Sequence, residues 1–117
     1  MQPSQRPKTR SGKTIGYKTG CGHVYITVNV DESENPVEVF ARMGKVGGCG
    51  FVMLESLGRV LSVALRCGVD VNVLTKQCLG LSCPNGIWEN GERVESCVSA
   101  VGMALRMVLE EKEEKNV

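Results

Sequence analysis

From residue 23 to 30 the chain alternates. Val24, Ile26, Val28 and Val30 point one way, and Tyr25, Thr27 and Asn29 point the other. That period of two predicts a half-buried strand. Asp31-Glu32-Ser33-Glu34-Asn35-Pro36 then reads as a polar turn, and Val37 to Arg42 alternates again as the return strand of an antiparallel hairpin. Upstream, Thr14 to Thr19 predicts a short first strand, closed by a turn at Gly20-Cys21-Gly22.

The period changes after residue 50. Leu54, Leu57, Leu61, Ala64 and Leu65 share one face of a helix expected over Phe51 to Cys67, with Gly68 as its stop. Asp70 is placed to cap a shorter helix, Val71 to Leu79, which Gly80 ends. Cys83-Pro84-Asn85-Gly86 is a turn. A third helix is expected over Glu92 to Lys112, burying Val94, Val98, Val101, Leu105 and Val108, with Gly102 and Ala104 letting a neighbour approach closely. Strands first and helices afterwards predict an α+β fold: a small antiparallel β-sheet of about three strands, covered by two long helices and one short helix. Its domain is expected over residues 14–112, between a basic flexible arm at 1–13 and an acidic tail at 113–117. A three-stranded sheet has edges, and edges invite pairing. A homodimer or higher homo-oligomer is therefore the expected state.

At 117 residues the chain is the size of one domain with a core of its own. Aromatics make up only 4%, so Val, Leu, Met, Ala and Cys must build that core. The net charge of +1 predicts no DNA or RNA partner. Charge is nevertheless uneven: Arg6, Lys8, Arg10, Lys13 and Lys18 open the chain without an acid among them, and Glu110 to Lys115 is mostly acidic. Solvated ends explain both, as does an arm that folds over an anionic ligand. No apolar run is read as long enough to cross a membrane, and the N-terminus lacks a signal peptide's apolar stretch. A cytoplasmic protein with reduced thiols is expected, and no CxxC pair marks a redox or zinc-ribbon site.

Gly44-Lys45-Val46-Gly47-Gly48-Cys49-Gly50 is the densest candidate site. Such a loop before a helix can bring backbone N–H groups to an anion, with Lys45, Gly47 and Gly48 as the contacts. A tight strand-to-helix turn needs the same glycines. Gly12-Lys13-Thr14 resembles the end of a P-loop, but Pro7 stands where the companion glycine belongs and no strand precedes it. His23 is the sole histidine and has no evident triad partners, so no catalytic residues and no cofactor are predicted. Arg59 and Arg66 sit two turns apart on one helix, and Arg106 lies on the last helix. Trp88 and Asn90 lie in the loop before it. Arginines fork onto phosphates and a Trp face stacks on a base, so Arg59, Arg106, Trp88 and Asn90 are candidates to line a nucleotide groove. The other reading leaves the arginines as exposed helix positions and Trp88 as a plug at the core edge.

Thr19-Gly20-Cys21-Gly22, Val24 to Val28, Glu38-Val39-Phe40 and Gly44 to Cys49, followed by Glu55 to Arg66 and Gly80-Leu81-Ser82-Cys83-Pro84, together resemble the TSCPD domain. That domain stands near the C-terminus of adenosylcobalamin-dependent ribonucleotide reductases and is named for a Thr-Ser-Cys-Pro-Asp motif. Here Ser96-Cys97 remains of the motif, with Val98 and Ser99 in place of Pro and Asp. Small free-standing members carry four cysteines, and Cys21, Cys49, Cys83 and Cys97 match those positions. The resemblance implies a thiol or zinc role for them, although zinc sites favour close ligand pairs and these four are scattered.

The chain has none of the large barrel that reductase chemistry requires. The resemblance thus implies an accessory or vestigial module, or a domain reused. In size and layout the chain is also similar to phage anti-Thoeris proteins, which resemble sponges that sequester cyclic ADP-ribose-type signals without cleaving them; this is a likeness of architecture. Three functions stay open: non-catalytic capture of a small phosphorylated nucleotide, an accessory module working through protein contacts or thiols, and a zinc-stabilised structural module.

Overall fold

The computed structural model describes residues 1–44 and 48–115. Three strands come first: β1 (Ser11–Thr19), β2 (Gly22–Val30) and β3 (Pro36–Met43). They form an antiparallel sheet in the order β1-β2-β3, with Ile15 opposite Ile26 and Ile26 opposite Ala41. The helices α1 (Gly48–Arg66) and α2 (Val71–Cys78) follow, then a two-stranded hairpin of β4 (Ile87–Glu89) and β5 (Glu92–Val94), then α3 (Cys97–Lys115). The α+β architecture expected from the sequence is the one found.

Val24, Ile26 and Val28 of β2 are fully buried, as their alternation requires, and pack with Val39 and Ala41 of β3. α3 lies across this inner face and contributes Val101, Ala104 and Leu105, each with no exposed surface. α2 packs on α3, where Leu79 lies so close to Gly102 that a Cβ there would sit 2.9 Å from its backbone nitrogen. The other sheet face is open. It carries Tyr25 and Phe40, each about half exposed, and a Thr14–Thr27 hydroxyl pair at 2.7 Å.

α1 runs along the free edge of β3. The Ser62 hydroxyl accepts from Val39 N at 2.9 Å and donates to Val39 O at 3.0 Å, so one side chain satisfies both outward backbone groups of that residue. Gly58 makes this approach possible: a Cβ there would lie 2.9 Å from Val39 O. The β3 edge is thereby closed, and the expectation of pairing through a free edge now applies to β1 alone.

Several boundaries differ from the sequence expectation. β1 starts at Ser11 rather than Thr14, because its polar first half is held by the β2 register, Ser11 opposite Val30. α1 starts at Gly48. The last helix does not begin at Glu92: β4 and β5 form a hairpin first, and Val94, buried as expected, belongs to β5. Asn90 and Gly91 have φ of 49° and 81°, the left-handed pair that a two-residue hairpin turn demands. Asp70 does cap α2, accepting from Asn72 N at 2.8 Å, and Gly68 does follow α1. The reading that no segment is apolar enough to cross a membrane also needs correction. α1 reaches that length and composition, because its apolar residues occupy two sides of the helix rather than one.

Candidate functional site

The N-terminal arm crosses the α1 side of the molecule. Ser4 N donates to Arg66 O at 2.9 Å, which ties the arm to the end of α1. Two residues on, the Arg6 guanidinium meets the Glu38 carboxylate on β3. Glu38 also accepts from Asn29 Nδ2 at 2.9 Å and is almost wholly buried. Burial by itself raises a carboxyl pKa, but the hydrogen bonds from Arg6 and Asn29 and the charges of Arg6 and Arg10 outweigh it. Glu38 is held ionised below its ordinary range.

Beside this ion pair opens a groove of about 380 Å³, lined by Arg6, Glu38, Phe40, Arg59, Val63 and Arg66, with Ser62 at its floor. Phe40 and Arg59 also border a second groove of about 280 Å³, between β3 and the first half of α1, where Arg42, Phe51 and Glu55 face each other. Three guanidiniums and one carboxylate therefore line the first groove, and the carboxylate is paired with Arg6. Arg59 is 79% exposed and its contact to Glu55 is long, at 3.4 Å. Arg66 Nε is buried and has no hydrogen-bond partner among the described residues. An exposed aromatic ring, a net positive rim and an unused buried donor suit a planar group carrying phosphate.

Arg106 lies elsewhere. It borders a groove of about 390 Å³ between α2, α3 and the hairpin, with Glu92, Arg93 and Glu95. Its cation is shared between Glu92 at 3.8 Å and Glu110 at 4.0 Å, and Arg93 is paired with Glu95 at 3.2 Å. Tyr17 is close by. Its phenol is pushed up to about 12, first by burial and then by Glu92, against a smaller opposing effect of Arg106.

The single groove anticipated from the sequence is thus two regions. Arg59 joins Arg6, Arg66 and Phe40; Arg106 joins the hairpin. Trp88 is 69% exposed on β4, so it does not plug the core edge. Asn90 holds the hairpin turn. Gly48 opens α1 with φ of 84°, while Lys45 and Gly47 fall outside the described residues. Arg6 belongs to the basic arm expected to fold over an anionic ligand, while Phe40 was not among the expected groove residues. Phe40 had a signal: an aromatic on the polar side of an alternating strand.

The segments that carry three of the four matched cysteines meet, since Ser96 Oγ, beside Cys97, donates to Leu81 O at 2.6 Å on the run leading to Cys83. Burial raises the Cys97 thiol pKa. Asn85 Nδ2 lies 3.7 Å from Cys21 Sγ. Cys49 is exposed on the first turn of α1. Among the described residues no group of three or more His, Cys, Asp or Glu side chains is arranged to hold a metal ion.

A three-stranded sheet backed by one helix, edged by another and crossed by a basic arm defines a small α+β domain. The model of the TSCPD domain family matches residues 1–109, and the chain belongs to that family. Neither the curated proteins nor the solved structures contain a match to it.

Proposed function

We propose that this protein is a non-catalytic binding protein that captures a small phosphorylated nucleotide, in the manner of a sponge that holds a cyclic ADP-ribose-type signal intact. The observation that carries this reading is the meeting of Arg6, Arg59 and Arg66 around the exposed ring of Phe40 in one groove. The guanidiniums take the phosphates and Phe40 stacks on the base. Glu38 is neutralised by Arg6 and has a second partner in Asn29, so it holds the arm in place rather than serving as an acid or base. Six free thiols fit a cytoplasmic setting. The test is to titrate the purified protein with ADP-ribose, its cyclic form, AMP and ATP by calorimetry, and to denature the complex and recover the ligand. Micromolar or tighter binding with intact recovery supports the reading; no ligand raising the melting temperature sinks it, since a ligand that binds the folded state must stabilise it.

One observation favours the accessory-module alternative: the segments that carry Cys21, Cys83 and Cys97 meet through Asn85 and through the Ser96–Leu81 hydrogen bond. Under that reading the thiols, not the arginines, are the working groups. Replacing all three by serine would then abolish function while leaving nucleotide binding untouched.

A further inference from the structure

α1 has two apolar sides, and the core uses one. Leu54, Leu61 and Leu65 face inward, while Gly58 and Ser62 face the β3 edge. At 3.6 residues per turn the opposite side presents Cys49, Val52, Met53, Ser56, Val60 and Val63. No charged residue interrupts this stripe, which is roughly 100° wide and about 21 Å long. Val52, Met53 and Val60 are 61%, 69% and 63% exposed. A contiguous apolar face of this kind is an interaction surface.

The charges along its borders select the occupant. Glu55 and Arg59 lie on the border toward the open sheet face, where they line the same groove. The other border, at Leu57 and Ala64, has no charge. When two such helices pack antiparallel about a two-fold axis near their midpoint, like borders meet. Glu55 of one copy then faces Arg59 of the other, twice, and small Ser56 near the axis lets the helices approach. Parallel packing sets the charged border against the uncharged one and leaves Glu55 and Arg59 only their contact within one helix, at 3.4 Å. A bilayer is a poorer fit, because Glu55 and Arg59 would lie mid-membrane and Ser62 holds α1 to β3.

We propose that the outer face of α1 is a self-association surface that packs antiparallel on the same face of a second copy of this chain. The inference stands without the ligand reading. It also brings the two Arg59 side chains, and with them both arginine grooves, to one rim of the dimer.

Sedimentation velocity of the full chain at micromolar concentration tests it. A dimer, or an even-numbered assembly of dimers, is expected. Val60→Glu, at an exposed position that the fold does not use, gives a folded monomer whose cooperative melting no longer depends on protein concentration. Glu55→Arg raises the dimer dissociation constant about tenfold or more, and Glu55→Arg combined with Arg59→Glu restores it. A monomeric wild type overturns the proposal, as does a dimer indifferent to Val60→Glu or sedimentation of the chain with phosphatidylcholine–phosphatidylglycerol vesicles. A Glu55→Arg defect that the double variant fails to repair overturns the antiparallel arrangement.

Discussion

The two arginine-bearing grooves are nearly equal in size, about 380 and 390 Å³, yet they differ in chemistry. Around Arg106 every cation has its acid: Glu92, Glu95 and Glu110 account for Arg93 and Arg106. Around Phe40 three guanidiniums line a groove with one carboxylate, Glu38, which pairs with Arg6, while Glu55 holds Arg59 only at 3.4 Å. Volume does not separate a binding site from a surface crevice here. The balance of charge does, because a guanidinium already paired must give up its partner before it can take a phosphate.

That comparison breaks most severely at Gly58. Gly58→Leu would force a side chain into the backbone of β3, so we expect a loss of about 3 kcal/mol or more in stability by denaturant unfolding. The arginine side of the molecule would open while the Arg106 region keeps its α2–α3 packing. Next in size, Arg66→Ala should weaken a phosphorylated ligand by about 10- to 100-fold in calorimetry, whereas Arg106→Ala should change its affinity by less than about 2-fold. Equal losses from both would erase the distinction between the grooves.

A smaller effect is expected at Glu38. Its folded pKa is depressed, so its contribution is present above the ordinary value of 4.5 and is lost as pH falls through the folded value. Glu38→Gln should therefore cost about 1–2 kcal/mol at neutral pH and flatten the loss of stability that the wild type shows in acid. The smallest effect is on the other side, at Tyr17. Its folded pKa is raised from 10.0 to about 12, so stability should decline as pH climbs between those values. Ultraviolet titration should show one phenol ionising near 12, absent in Tyr17→Phe.

Much of the fold was legible because it obeys simple periods. The alternation of Val24, Ile26 and Val28 and the cap at Asp70 each express a local rule. The hairpin was legible too, in Ile87-Trp88-Glu89-Asn90-Gly91-Glu92-Arg93-Val94, where Asn-Gly between strand-forming residues is a strong turn signal. The expected helix from Glu92 overran it: Glu92 to Val94 form β5, and α3 starts at Cys97. The start of β1 was hidden because Ser11-Gly12-Lys13 has no strand pattern of its own and is paired only through β2. The candidate site was half legible. Arg59 and Arg66 share a side by helical spacing, but no spacing reveals that Arg6 crosses to Glu38, since that contact closes a loop of 32 residues.

The Ser62 hydroxyl stands where a fourth strand would otherwise bind. With Val39 answered on both its donor and its acceptor, the sheet can lengthen in one direction only, outward from β1. A chaperone, a fusion strand or a misfolding neighbour that adds itself to the three-stranded sheet must arrive on that side.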